Sequence, residues 1–316
     1  MNEHNVVSVS GGKDSTALLL LAIERETPNM HVVFADTGHE HAQTYDYLRY
    51  LEQATGVPIR WVKADFSEQI NAKRTRLEAV VRGDHVPRNT WTAEQAARAI
   101  PYLVPTGIPF LDLCIWKGRF PSTKARFCSE ELKRNTIAAQ VNQPIWNAGD
   151  EVVSWQGVRA DESPSRALLD EEEDVSQNYT IYRPILKWTA AQCFDMHRKH
   201  GIKHNPLYEQ GQRRVGCMPC IHSGKNEMRE IGSRFLDEVA RVAEWERIVG
   251  LASKRGTSSF FASDKTPGEH VGRADIPMPG IHQVVEWSRT SRGGRNQDWM
   301  RQLEGPLCAS MYGLCE

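Results

Sequence analysis

No apolar run in these 316 residues approaches the roughly 20 needed to cross a bilayer. The N-terminus passes directly into a strand pattern and carries none of the regions of a signal peptide. A membrane-anchored or secreted protein is therefore not expected, and the cysteines agree. There are seven, an odd number scattered over a long chain, unlike the dense, even framework that staples small secreted domains. A cytoplasmic protein with metal-binding or redox cysteines fits better. Strong charge of either sign is also missing. The 39 Lys and Arg against 40 Asp and Glu give no support to broad, charge-driven nucleic-acid binding, and leave room only for a local basic patch. Internal repeats are absent. The length suits one large domain, or one domain with a substantial appendage.

Two common phosphate-binding patterns are absent as well. The Gly-x-x-x-x-Gly-Lys-Ser/Thr spacing of a Walker A loop does not occur at the N-terminus, nor does the third glycine of the dinucleotide fingerprint. What stands there is Val6-Val-Ser-Val-Ser-Gly-Gly-Lys-Asp-Ser15, followed by an Ala/Leu-rich run to Glu24. Val6, Val7 and Val9 predict a short buried strand, and the run after Ser15 a helix. The turn between them suits phosphate. Gly11 and Gly12 let backbone N–H groups approach an anion, the helix N-terminus adds unpaired donors, and Lys13, Ser10 and Ser15 add a charge and hydroxyls.

Further along, Met30–Ala35 reads as a second buried strand running into Asp36-Thr37-Gly38, and Ile59–Ala64 as a third. The β-α-β-α-β order predicts a parallel sheet, at whose carboxyl edge ligands collect. His39, Glu40 and His41 read as the solvated start of a helix, and the stretch from Arg82 to Lys124 as an irregular excursion with Cys114 packed inside it. Cys128-Ser-Glu-Glu-Leu-Lys133 reads as a helix start carrying a thiol, with Lys124, Arg126 and Lys133 around it. Glu151–Ala160 is a fourth strand with Gly157 and Arg159 at its end, where the planar guanidinium fork suits phosphate. The acidic run from Leu169 to Asp174 reads as a surface loop, Gly232–Gly250 as an amphipathic helix, Thr257–Gly294 as loop or lid, and Cys193 as core. Gly216 and Pro219 make Cys217-Met-Pro-Cys220 a knuckle-like turn better suited to metal than to a helix-starting redox dithiol.

Ser10-Gly-Gly-Lys-Asp-Ser15 is the signature of the PP-loop (ATP pyrophosphatase) enzymes, which the N-terminus resembles. The later motifs resemble the phosphoadenosine phosphosulfate (PAPS) reductase family: Asp36-Thr-Gly38, the Cys128 segment, Gly157-x-Arg159-x-x-Glu162-Ser163 and Cys217-x-x-Cys220. The Cys128 segment is also similar to that of DNA phosphorothioation enzymes. The ordered set spans residues 6 to about 222. The resemblance implies an α/β fold, a doubly wound parallel sheet of the adenine nucleotide α-hydrolase type. Residues 1–225 would form the nucleotide domain, with a C-terminal helical region and cysteine-bearing tail, 226–316, packed on it. It implies ATP or a PAPS-like adenine nucleotide held by Ser10, Gly11, Gly12, Lys13, Asp14, Ser15, Asp36, Thr37, Gly38, Gly157 and Arg159, with Mg²⁺, and Lys13 and Asp14 closest to the chemistry. It also implies a [4Fe–4S] cluster on Cys128, Cys217, Cys220 and Cys308, with Cys315 as the alternative fourth ligand and zinc as the alternative metal.

Three functions remain open on sequence. One is adenylyl transfer from ATP, releasing pyrophosphate and coupled to sulfur transfer, with a cysteine desulfurase and an electron donor as partners by analogy. Nucleic acid is a conceivable acceptor that the net charge does not indicate. The second is sulfonucleotide reduction by a thiolate. The Glu-Cys-Gly-Leu/Ile-His motif of those reductases is missing, and the chain has Gly313-Leu-Cys315-Glu316 instead. The third is a nucleotide-sensing subunit without turnover.

Overall fold

The computed structural model describes residues 1–261, 279–291, 310–312 and 314. The expected strands are present as β1 (Glu3–Val9), β2 (Met30–Asp36), β3 (Ile59–Lys63) and β4 (Glu151–Trp155). A hairpin follows, made of β5 (Glu172–Ser176) and β6 (Tyr179–Tyr182). The sheet order is β3-β2-β1-β4-β6-β5, parallel throughout except for β5, which runs antiparallel at the edge. The sequence places the run Leu169–Asp174 in a loop, but its second half enters β5. Glu172, Glu173 and Asp174 stay exposed there, and charge on a sheet edge discourages pairing with other chains.

Alternation along each strand feeds two cores. Val7, Val9, Val32 and Phe34 face α1 (Lys13–Glu24), α2 (Ala42–Thr55) and the helix Ala190–Lys199. Val6, Val33, Ala35, Val62 and Val152 face a continuous helical segment, 127–147, in which α-turns alternate with wider π-turns. Helices therefore cover both faces, as strands apolar on both sides require.

A third core gathers α3 (Ser67–Arg82), α4 (Ala93–Ala99) and α5 (Pro109–Lys117) with three later helices. Two of these elements correct the expectation of an irregular stretch from Arg82 to Lys124. In α5 every residue from Pro109 to Ile115 is buried, so no amphipathic period marks it. The helix expected over Gly232–Gly250 is two, Lys225–Arg234 and Leu236–Leu251, broken at Phe235. Gly232 packs against Val285 of a further helix, Ile281–Ser288, inside the region read as loop.

The chain leaves β1 toward β2 and β3, then returns to place β4 on the other side of β1. This reversal opens a crevice at the carboxyl ends of β1 and β4, where ligands bind in open α/β sheets.

Candidate active site

The Ser10–Ser15 turn lies in that crevice. Ser15 Oγ accepts from the Ser10 backbone N–H at 3.0 Å and donates to the Gly12 carbonyl at 3.1 Å. Gly11 has φ +72°, a left-handed conformation that glycine adopts without strain. Three side chains from about 190 residues away buttress the loop. Tyr208 Oη accepts from the Lys13 backbone N–H at 2.8 Å, Asn205 donates to the Gly11 carbonyl at 3.2 Å, and His197 Nε2 meets the Lys13 carbonyl at 2.9 Å. None was identified from sequence, although all three lie within the span, 6 to about 222, that carries the family resemblance.

Lys13 is only 3% exposed. Its Nζ donates to Asp14 Oδ2 at 3.2 Å and lies 5.5 and 5.1 Å from the ring centres of Tyr208 and Tyr312. Tyr312 thus returns a described part of the C-terminal segment to the Ser10–Ser15 turn, its hydroxyl donating to the Arg213 carbonyl at 2.9 Å. From the end of β4, Arg159 donates through Nε to Asp14 Oδ1 and through Nη1 to Asp161, both at 2.6 Å. Lys13, Asp14, Arg159 and Asp161 form one alternating network of charges at the switch point.

Gly157 explains how β4 comes so close. A Cβ there would stand 3.3 Å from the Asp14 carbonyl group and from Ser15 Cα. Gly157→Ala is expected to push the phosphate loop off β4 and weaken nucleotide binding by roughly 1–3 kcal/mol, the usual cost of overpacking, as read by calorimetric titration.

The Asp36-Thr37-Gly38 turn satisfies its own polar groups. Asp36 Oδ1 accepts from the Gly38 N–H at 2.9 Å and from Tyr45 Oη at 2.8 Å. The buried Thr37 hydroxyl donates to the Glu40 carboxylate at 2.8 Å. His39 and Glu40 are not solvated, as expected from sequence, but 0% and 3% exposed. The Cys217–Cys220 turn covers them, through a bridge between Glu40 and Cys217 and a bond from the Met218 N–H to the His39 carbonyl at 2.9 Å. Arg241 donates to His39 Nδ1 at 3.2 Å, so Nε2 carries the proton donated to the Pro219 carbonyl at 2.9 Å.

Cys128, Cys217 and Cys220 line one cavity of about 170 Å³, together with Thr37, Lys133 and three arginines, Arg126, Arg166 and Arg214. Lys124 does not line it. Burial first, and then the Glu40 carboxylate, push the Cys217 thiol above its ordinary range, and its S–H points at Glu40 Oε1 3.7 Å away. Burial and then Cys220 raise Cys128 likewise. Burial would lower the pKa of Lys133, but Cys217, Glu40, Cys220 and Cys128 outweigh it and raise it. A firmly held cation thus faces three sulfurs. Among the described residues no three His, Cys, Asp or Glu side chains converge tightly enough to hold a single metal ion. Three thiols on one cavity are a donor set of the kind that holds an iron–sulfur cluster or a zinc ion. Cys308 and Cys315 lie outside the described residues. Cys114 and Cys193 are buried core, as expected.

The profile described as the phosphoadenosine phosphosulfate reductase domain matches residues 4–223. The chain belongs to the phosphoadenosine phosphosulfate reductase family. Among its relatives is an "uncharacterized 37.8 kDa protein in gpa 5′ region" of Escherichia phage 186, 49% identical over 324 residues, covering 99% of this chain and 96% of that one. The phosphoadenosine 5′-phosphosulfate reductase of Alteromonas mediterranea is 23% identical over 233 residues, 73% of this chain and 75% of its own. The crystal structure of a phosphate complex of phosphoadenylyl-sulfate reductase from Candida auris aligns with a TM-score of 0.39 and 17% identity, over 69% of this chain and 81% of that one. The family's domain thus runs from β1 through both cysteines of the Cys217–Cys220 turn.

The loop's buttress also carries a pH signature. Burial lowers the pKa of His197 below the ordinary 6.5, against the opposing effect of its bond to the Lys13 carbonyl. Below about pH 6.5 the unfolded chain takes up a proton there that the folded chain refuses, so stability is complete above that value and falls as pH drops. Urea midpoints measured between about pH 7.5 and 5.5 are expected to fall with pH, and less steeply in His197→Gln.

Proposed function

We propose that this chain is an ATP-using member of the family, which activates an acceptor by adenylyl transfer and couples that step to sulfur transfer at the thiol cavity. The observation that carries this reading is the Lys13–Asp14–Arg159–Asp161 network on an intact Ser10–Ser15 loop at the switch point. The loop's backbone N–H groups and Lys13 bind the phosphates. An acceptor oxygen attacks the α-phosphorus, the bond to the bridging oxygen breaks, and pyrophosphate leaves with the charge that Lys13 and Arg159 stabilise. Asp14 and Asp161 bring hard carboxylate oxygens to the loop, the donors Mg²⁺ prefers, and the ion would offset charge on the phosphates. Cys128, Cys217 and Cys220 would hold an iron–sulfur cluster, which would supply sulfur or electron chemistry.

Reduction of a sulfonucleotide is the second reading, and two observations favour it: the family profile, and the arginines beside the thiols, which suit a sulfate or phosphate. Against it, the chain carries no Glu-Cys-Gly-Leu/Ile-His motif. Anaerobically purified protein incubated with Mg²⁺ and ATP is expected to yield AMP and pyrophosphate, slowly where water is the acceptor. Sulfite from PAPS and a dithiol, with ATP left intact, would establish the reductase instead.

A further inference from the structure

Away from the crevice lies a larger cleft of about 680 Å³, open to solvent, between α3, the segment after Arg88, the end of α5 and the turn after Leu251. Seven of its lining residues are Lys or Arg and none is Asp or Glu. In a chain with 39 cations and 40 anions, that segregation is the local basic patch the net charge conceals. Three of the seven are engaged in structure, Arg76 by donating to the Pro87 carbonyl at 3.0 Å. Lys73 donates to the carbonyls of Ile115, Trp116 and Ala252 at 2.9, 3.1 and 3.3 Å, fixing two helix ends that form the walls. Lys117 pairs with Glu131 at 3.0 Å. The other four, Arg88, Arg119, Lys254 and Arg255, are exposed and, like the exposed Arg76, have no ion-pair partner among the described residues.

We propose that this cleft binds single-stranded nucleic acid. Unpaired cations along a groove neutralise successive phosphates, and half-buried Trp91 on the wall offers a face on which a base can stack. A duplex keeps its base faces stacked inward and cannot use an indole this way. One wall of the cleft also touches the segment that carries Cys128. Its lining residue Ser122 is six positions before Cys128, and Arg119 lies 5.6 Å from the ring centre of Phe127, the residue preceding that cysteine. Binding in the cleft does not depend on which nucleotide the phosphate loop takes.

The test is fluorescence anisotropy with labelled single strands of about 12 nucleotides, oligothymidylate and oligouridylate, over a salt series. The full chain is expected to bind, with an affinity that falls as salt rises by about −0.7 in log–log slope for each phosphate neutralised. The triple variant Arg88→Ser, Lys254→Ser, Arg255→Ser should lose affinity at least about tenfold and flatten the slope by about 2. Trp91→Ala should lose about tenfold with the slope unchanged. Far-UV circular dichroism of the same samples reports that each variant is folded, and ATP titration separates this proposal from the nucleotide reading. No binding at about 50 mM salt, equal affinity in the triple variant, or tighter binding of a duplex of the same length would overturn it.

Discussion

Lys13→Ala is expected to lower the rate of pyrophosphate release by roughly 10²–10³-fold, the cost typical of removing one preorganised donor to developing charge. The fold should survive, because Asp14 remains tied to Arg159 and the Lys13 backbone to Tyr208 and His197. Lys13→Arg should not restore the rate. The ammonium sits between two tyrosine rings and is almost wholly buried, so a guanidinium has no room there. The check is kcat and KM for ATP in both variants, with calorimetry for retained folding. A loss confined to KM would mean that Lys13 binds the ground state and does not act on the departing charge.

The second large effect concerns iron. Cys128→Ala, Cys217→Ala and Cys220→Ala are each expected to purify anaerobically with at least about tenfold less iron and sulfide, since a thiolate-held cluster rarely tolerates a lost ligand. Cys114→Ala, in the apolar core, should keep both. Because burial and Glu40 hold Cys217 protonated, filling the site must release protons, and reconstitution should be more complete at alkaline pH. The measurements are iron and sulfide analysis and the visible spectrum. Full iron in all three variants would remove the cluster from the account. A colourless protein with one zinc would make the cysteines a structural clip.

How far the sequence predicts this molecule depends on how local each cause is. The strand–loop–helix from β1 to α1 was legible because its valines, glycines and Lys13 all lie within one short stretch. The parallel sheet followed from alternating strands and helices, and its doubly wound form from the family resemblance. The environment of His39 and Glu40 was not legible, since what buries them is a turn about 180 residues later. The same holds for the buttress of Asn205, Tyr208 and His197. Helix α5 lacked a period because it is apolar all round, and β5 because it is acidic at the sheet edge. Phe235 breaks a helical pattern that contains neither proline nor a glycine at the break. The fold and the turn between β1 and α1 were therefore readable in advance, while the wall around the thiols depends on long-range contacts.

The most direct test of the account is calorimetric titration of the anaerobically purified protein with ATP and with PAPS, each with and without Mg²⁺. The account predicts Mg²⁺-dependent binding of ATP that Lys13→Ala retains and Gly157→Ala weakens. Tight binding of PAPS, with none of ATP under any condition, would contradict it.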